Sequence, residues 1–259
     1  MDSYWAERQA KSQEVLSSKN IRDTEKQLKK YYSTAMKKVI SNFEATYDKI
    51  LAQQAAGVEI TPALLYKLDT YWNLQGQLKQ ELQKLGDKQV ALLSNKFTKQ
   101  YFDIYNSIVI EGQAAFNTID NAAARQVINS IWCADGKNWS QRVWNNTDKL
   151  QQTLNDKLVN SVVAGHKTGE LKKILMNEFN VSYHRADSIV RTEIAHIQTQ
   201  AARQRYQDYG IQEVQIWADA DERRCDVCGG LHKKIYPVGA VMPIPAHTNC
   251  RCCIVPVIN

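Results

Sequence analysis

The sequence predicts a mainly α-helical protein that ends in a small α+β module. Three observations carry this. Apolar residues recur at steps of three and four over most of the first two hundred residues, the step changes to alternation after Gly210, and five of the six cysteines lie between positions 225 and 253. With 259 residues, 44% of them hydrophobic and 23% charged, the chain is long enough to bury one large core or two small ones.

The first element runs from Ile21 to about Leu51. There Leu28, Tyr32, Ala35, Val39, Phe43, Thr46 and Ile50 form one face of a long amphipathic helix that closes at Ala55-Ala56-Gly57. Thr61-Pro62 then offers an N-cap followed by proline at the first helical position. The second helix carries Leu64, Leu68, Tyr71, Leu78, Leu82 and Leu85 as its stripe, and Gly86-Asp87 reads as its end and the next N-cap. A third follows with Val90, Leu93, Phe97, Tyr101, Ile104 and Ile108. Three such stripes must be covered by one another or by other subunits, as in a helical hairpin or bundle.

The helical middle is shorter and more varied. Asp120 is expected to cap a helix through Ile131, the segment 148–163 reads as another, the segment 168–179 as a third, and Ser182 as the cap of a last helix to about Asp208. Trp139 and Trp144 are expected to pack rather than to stack on bases, whereas Tyr4-Trp5, close to the start, is a candidate anchor to another subunit. After Gly210, Val214, Ile216 and Ala218 alternate as one side of a strand. Lys234-Ile235-Tyr236 and the segment 253–257 are two more strand candidates. The expected division is therefore a long-helix scaffold or arm over residues 1–131 and a C-terminal module over 132–259.

Lys and Arg outnumber Asp and Glu by 33 to 27, but the basic residues are scattered in pairs such as Lys29-Lys30, so acidic partners are favoured only weakly. Every apolar stretch is interrupted well before the roughly 20 residues a membrane span needs, and MDSYWAERQA has no apolar signal core. The expectation is a soluble chain made without secretion, with no membrane partner.

The cysteines are the main chemical signal. Cys225-Asp226-Val227-Cys228 is followed, eighteen residues on, by His247-Thr248-Asn249-Cys250-Arg251-Cys252. Two residues between ligands let a tight turn aim both side chains at one ion, and a second pair from a distant loop completes a tetrahedron. We expect a structural zinc held by Cys225, Cys228, His247 and either Cys250 or Cys252, with Cys250 the first choice because of its His-x-x-Cys spacing. A sheet of about 40 residues is short of apolar material, which is where a structural metal contributes most. The rival readings are buried reduced thiols and a redox Cys-x-x-Cys, the latter disfavoured because no strand-helix-strand unit surrounds it. Four protein ligands leave no position for water, so catalysis by this zinc is not expected, and His232, in Gly-Gly-Leu-His-Lys, reads as a turn residue rather than a catalytic one. Arg191-Thr192-Glu193 lies in the last long helix. Its functional reading is that Arg191 and Glu193 face the sheet and bond its backbone or the acidic loop of Asp219 and Asp221; its bland reading is a solvated helix with ordinary ion pairs. No phosphate loop, Ser-His-Asp set or paired-carboxylate motif is present in the sequence.

The string Trp217-Ala-Asp219-Ala-Asp221-Glu-Arg-Arg-Cys225-Asp-Val-Cys228, then Pro245-Ala-His247-Thr-Asn-Cys250-Arg-Cys252, with Arg191-Thr192-Glu193 upstream, resembles the phage head morphogenesis family. These are minor head (minor capsid) proteins similar to the F protein of phage Mu and the portal-associated minor protein of phage SPP1. The resemblance covers about residues 139–256. It departs at Thr248, where the family has proline, and at the additional Cys253. It implies a structural, non-enzymatic component of procapsid and virion, located at the head or portal vertex and assembled in the host cytoplasm. Portal, major capsid or scaffold proteins are the implied partners, with phage DNA contact during packaging or ejection, and no small-molecule substrate. The alternatives from other classes are a zinc-braced nuclease or ADP-ribosyltransferase-like enzyme and a nucleic-acid-binding accessory factor.

Overall fold

The computed structural model of the chain describes residues 3–110, 121–218, 221 and 224–258. In order, its elements are α1 (Ser3–Ala55), α2 (Pro62–Leu65), α3 (Asp69–Ser107), α4 (Asn121–Ile128), α5 (Trp139–Val163), α6 (Thr168–Asp208), β1 (Glu213–Trp217), α7 (Asp226–Leu231), β2 (Ile235–Pro237) and β3 (Cys253–Pro256). The mainly helical chain with a small C-terminal sheet is thus as the sequence predicts, but several helices are longer: α1 begins at Ser3, and α6 runs unbroken through the segments read as two helices. No helix among the described residues is long and apolar enough to cross a membrane.

The chain divides into two compact units, each assembled from separate stretches. One holds Met1–Glu25, Leu92–Trp139 and Ser188–Asn259; the other holds Lys26–Ala91 and Ser140–Asp187. In the second unit the α1 stripe is as expected except that Tyr47, fully buried, takes the place assigned to Thr46. The Tyr47 hydroxyl lies 2.8 Å from the Ser161 carbonyl and 2.7 Å from that of His166, satisfying oxygens left over where α5 ends. Thr61 does cap a helix, its side chain accepting from the Leu64 amide, but that helix is only the four residues of α2.

Gly86 is not a helix end. It sits in the middle of α3, where a Cβ would come within 2.3 Å of the Trp144 ring, so glycine is there to admit an indole and not to stop a helix. Ser182 likewise lies inside the continuous α6. Its carbonyl accepts from Asn146 Nδ2 at 2.9 Å, and its side chain is buried instead of capping a new helix. Trp139 begins α5 and is buried edge-on to Phe97, with ring centroids 5.3 Å apart. The cap expected at Asp120 falls outside the described residues.

In the first unit, α6 ends as the sequence indicates. Gly210 has φ of 72°, and the amides of Gly210 and Ile211 turn back to the carbonyls of Gln207 and Tyr206, the bond pattern of a glycine-closed helix. The chain then enters an antiparallel sheet of order β2-β1-β3, with Val214 opposite Tyr236 on one side and Pro256 on the other. Arg203 of α6 donates to the carbonyls of Val238 at 2.7 Å and Gly239 at 2.8 Å, fixing the loop after β2. Cys253 and Val255 pack with Ala6 and Ala10 of α1, whose small side chains allow a close approach to β3.

Candidate metal centre

Cys225 is the N-cap of α7. Its extended backbone (φ −78°, ψ 163°) turns the sulfur back to accept from the Cys228 amide at 3.4 Å, so both Cys-x-x-Cys sulfurs stand on one side of the turn. The pair therefore does open a helix, although a six-residue one between antiparallel neighbours. The second set arrives from the segment between β2 and β3. His247 donates from Nδ1 to the Thr248 carbonyl at 2.8 Å, which leaves Nε2 as the acceptor nitrogen. Nε2 faces the sulfurs of Cys225 at 3.3 Å and Cys228 at 3.1 Å. Cys250 Sγ lies 3.8 Å from Cys228 Sγ, and Cys252 Sγ lies within 4.8 Å of both. Cys228 is thus common to two donor groups, Cys225-Cys228-His247 and Cys228-Cys250-Cys252.

These spacings fit a tetrahedral ion. Zn–S bonds of about 2.3 Å and Zn–N bonds of about 2.05 Å give tetrahedron edges of about 3.8 Å between sulfurs and about 3.6 Å between sulfur and nitrogen. No disulfide joins the six cysteines, and a void of about 30 Å³ lies among Arg224, Cys225, Cys228, His247, Arg251 and Cys252. The donor set of soft sulfurs and one imidazole is suited to zinc and not to calcium or magnesium.

The electrostatics point the same way. A hydrogen bond from the Cys252 thiol, supported by backbone amides, holds the Cys250 thiol down to about 5, and the same bond raises Cys252. Burial pushes Cys228 up to about 12, whereas the Cys228 amide lowers Cys225. The bond to the Thr248 carbonyl raises His247. Buried sulfurs this close together cannot all ionise unaided, and a divalent cation supplies the charge that lets them do so.

Cys253 does not join the group, because strand alternation turns it away from Cys252 and into the apolar contact with Ala6 and Ala10. Cys133 is not in either donor group. His232 is half-buried: its Nδ1 accepts from the Ala218 amide at 3.2 Å, its ring meets Trp217 edge-on at 5.1 Å, and burial lowers its pKa. It braces the end of β1.

Asp221 accepts both arms of the Arg251 guanidinium, at 2.7 and 2.5 Å, which anchors the chain between Cys250 and Cys252. Asp219 lies outside the described residues. Arg191 pairs with Glu25 of α1, and Glu193, 2% exposed, accepts from Trp132 Nε1 at 2.9 Å. Between them, Thr192 reaches the cysteine loop, its Oγ1 accepting from the Asn249 amide at 3.1 Å. Nothing in the spacing of the sequence marks Thr192, since its partner lies 57 residues away.

In comparison with known families, residues 152–255 match the family described as Phage Mu protein F like protein. This stretch is similar to the phage Mu F-like family. The match runs from within α5 into β3 and includes all five candidate donors, close to the extent over which the motifs resemble the phage head morphogenesis family. Neither the curated proteins nor the solved structures compared with the chain give a match. The Mu F-like segment also contains Thr192, Asp221 and Arg251.

Proposed function

We propose that the chain is a minor head protein of a tailed phage, a structural, non-enzymatic component of procapsid and virion. The observation that carries this is the Cys/His cluster inside the Mu F-like segment. Cys225, Cys228, His247 and Cys250 hold one structural zinc, with Cys252 as the alternative fourth ligand. Four protein ligands leave no position for a water, so the ion braces the loops and activates nothing. Partners are the portal and the major capsid or scaffold proteins. Two exposed aromatics at the start of α1, Tyr4 and Trp5, at 57% and 45% exposure, support docking through that end of the chain. Arg8 lies over the Trp5 ring at 5.4 Å.

Two measurements test this. Metal analysis of protein purified without chelator is expected to return close to one zinc per chain, and a metal-free preparation would defeat the zinc assignment. Expression with the phage portal and capsid proteins is expected to recover the chain in procapsids. Recovery solely as free protein would defeat the head assignment.

A further inference from the structure

We infer that Thr192 is the positioning residue of the metal-binding loop and that the Arg191-Thr192-Glu193 turn is the fixed point from which it acts. This rests on reading the Cys225, Cys228, His247 and Cys250 cluster as a metal centre. Successive helical residues point about 100° apart, so three neighbours cannot face one partner. Here each meets a different stretch of chain: Arg191 meets Glu25 of α1, Thr192 meets the loop, and Glu193 meets Trp132. The contacts on either side hold the turn, and Thr192 presents an oxygen whose place is set.

The orientation of that oxygen is also set. The Thr192 hydroxyl gives its hydrogen to the Ser188 carbonyl at 2.7 Å, which leaves its lone pairs for the loop. They receive the amide of Asn249, one of the two residues between the donors of the loop, His247 and Cys250. Asn249 has φ of 62°, in the left-handed region that asparagine tolerates better than most residues. The contact therefore holds the one backbone reversal that brings Cys250 Sγ towards Cys228 while His247 Nε2 faces the same sulfur. The Asp221–Arg251 pair holds the loop at the following residue. A loop ordered in this way loses less freedom when the ion binds, and binds it more tightly.

The experiment compares Thr192→Val, which keeps the branched shape and removes the acceptor, with Thr192→Ser, which keeps the hydroxyl. Zinc affinity is read by competition with a chromogenic chelator. Amide exchange of the 247–252 peptide is read by mass spectrometry on protein purified without chelator, with peptides from 26–91 as the check on global folding. Thr192→Val is expected to weaken zinc binding about fivefold, the equivalent of one net hydrogen bond, and Thr192→Ser to stay within about twofold of the native protein. Exchange across 247–252 is expected to quicken in Thr192→Val but not in Thr192→Ser, with the 26–91 peptides unchanged. Equal affinity and equal exchange in all three proteins would overturn the proposal. If the native protein takes up no zinc, the metal reading fails by itself, and the exchange comparison still decides whether Thr192 holds the loop.

Discussion

Along α1 the buried seam changes character near Glu25. Before it the buried positions are Ala6, Ala10, Gln13, Ser17, Asn20 and Thr24; after it they are Leu28, Tyr32, Ala35, Val39, Ile40, Phe43, Tyr47 and Ile50. The second set packs by volume. The first is small or polar and is satisfied by hydrogen bonds within its own unit: Gln13 donates to the Ile254 carbonyl at 2.9 Å, Ser17 meets Gln198 and Gln100, and Asn20 donates to the Lys96 carbonyl and to Gln100, both at 3.0 Å. One helix thus uses two ways of fixing its neighbours. Apolar packing tolerates substitution of similar volume, whereas a buried polar set requires each partner in place. The unit with the polar seam is also the one that carries the cysteine cluster.

That contrast can be broken in four ways, of decreasing size. Removing the metal with a chelator, or substituting Cys228→Ser, the sulfur shared by both donor groups, is expected to unfold the region around β1 to β3, because structural zinc contributes about 10 kcal/mol or more. Proteolysis read by mass spectrometry should cut within 210–258 and spare 26–91. Phe43→Ala, at a side chain 1% exposed, is expected to cost about 3–5 kcal/mol in denaturant unfolding through the cavity it leaves. A cost below 1 kcal/mol would mean the apolar seam is loosely packed. Gln13→Leu is close in length but leaves the Ile254 carbonyl without this donor, for an expected loss of about 1–3 kcal/mol. A neutral or stabilising result would show that the polar seam is not needed for stability.

The smallest effect concerns alkali. Burial raises the Tyr32 phenol from 10.0 to about 12. The unfolded chain therefore loses this proton first, so the stability it contributes is intact below pH 10 and is lost as pH rises towards 12, at about 1 kcal/mol per pH unit. Thermal melts across that range should fall less steeply in Tyr32→Phe. Parallel curves for the two proteins would remove Tyr32 from the account.

The same contrast explains what was legible in the sequence. The stripe from Leu28 to Ile50 and the one from Leu93 to Ile108 announce their helices because apolar periodicity is what burial by volume leaves behind. Residues 3–24 are helical with the same three-and-four spacing, but Gln13, Ser17, Asn20 and Thr24 do not register as a hydrophobic stripe. The three strands and the meeting of Cys225, Cys228, His247 and Cys250 were readable from alternation and ligand spacing. Gly86 was misread because a glycine that ends a helix and one that admits the Trp144 ring look alike without the partner. Ser182 was misread as a cap because its buried partners, Asn146 and Tyr32, are distant in sequence. Thr192 stood out only as part of the Arg191-Thr192-Glu193 motif, since the role proposed for it depends on a contact with Asn249 that only the fold creates.

Gln13 has one more consequence. β3 pairs with β1 along one edge, and the Ile254 carbonyl points away from that pairing to meet Gln13 Nε2 and, at 3.3 Å, the Tyr206 hydroxyl. A bare strand edge is a template on which another chain can add a strand and begin to aggregate. Side chains from α1 and α6 occupy that template, so an apolar four-residue strand at the border of a small sheet is kept from recruiting its own copies.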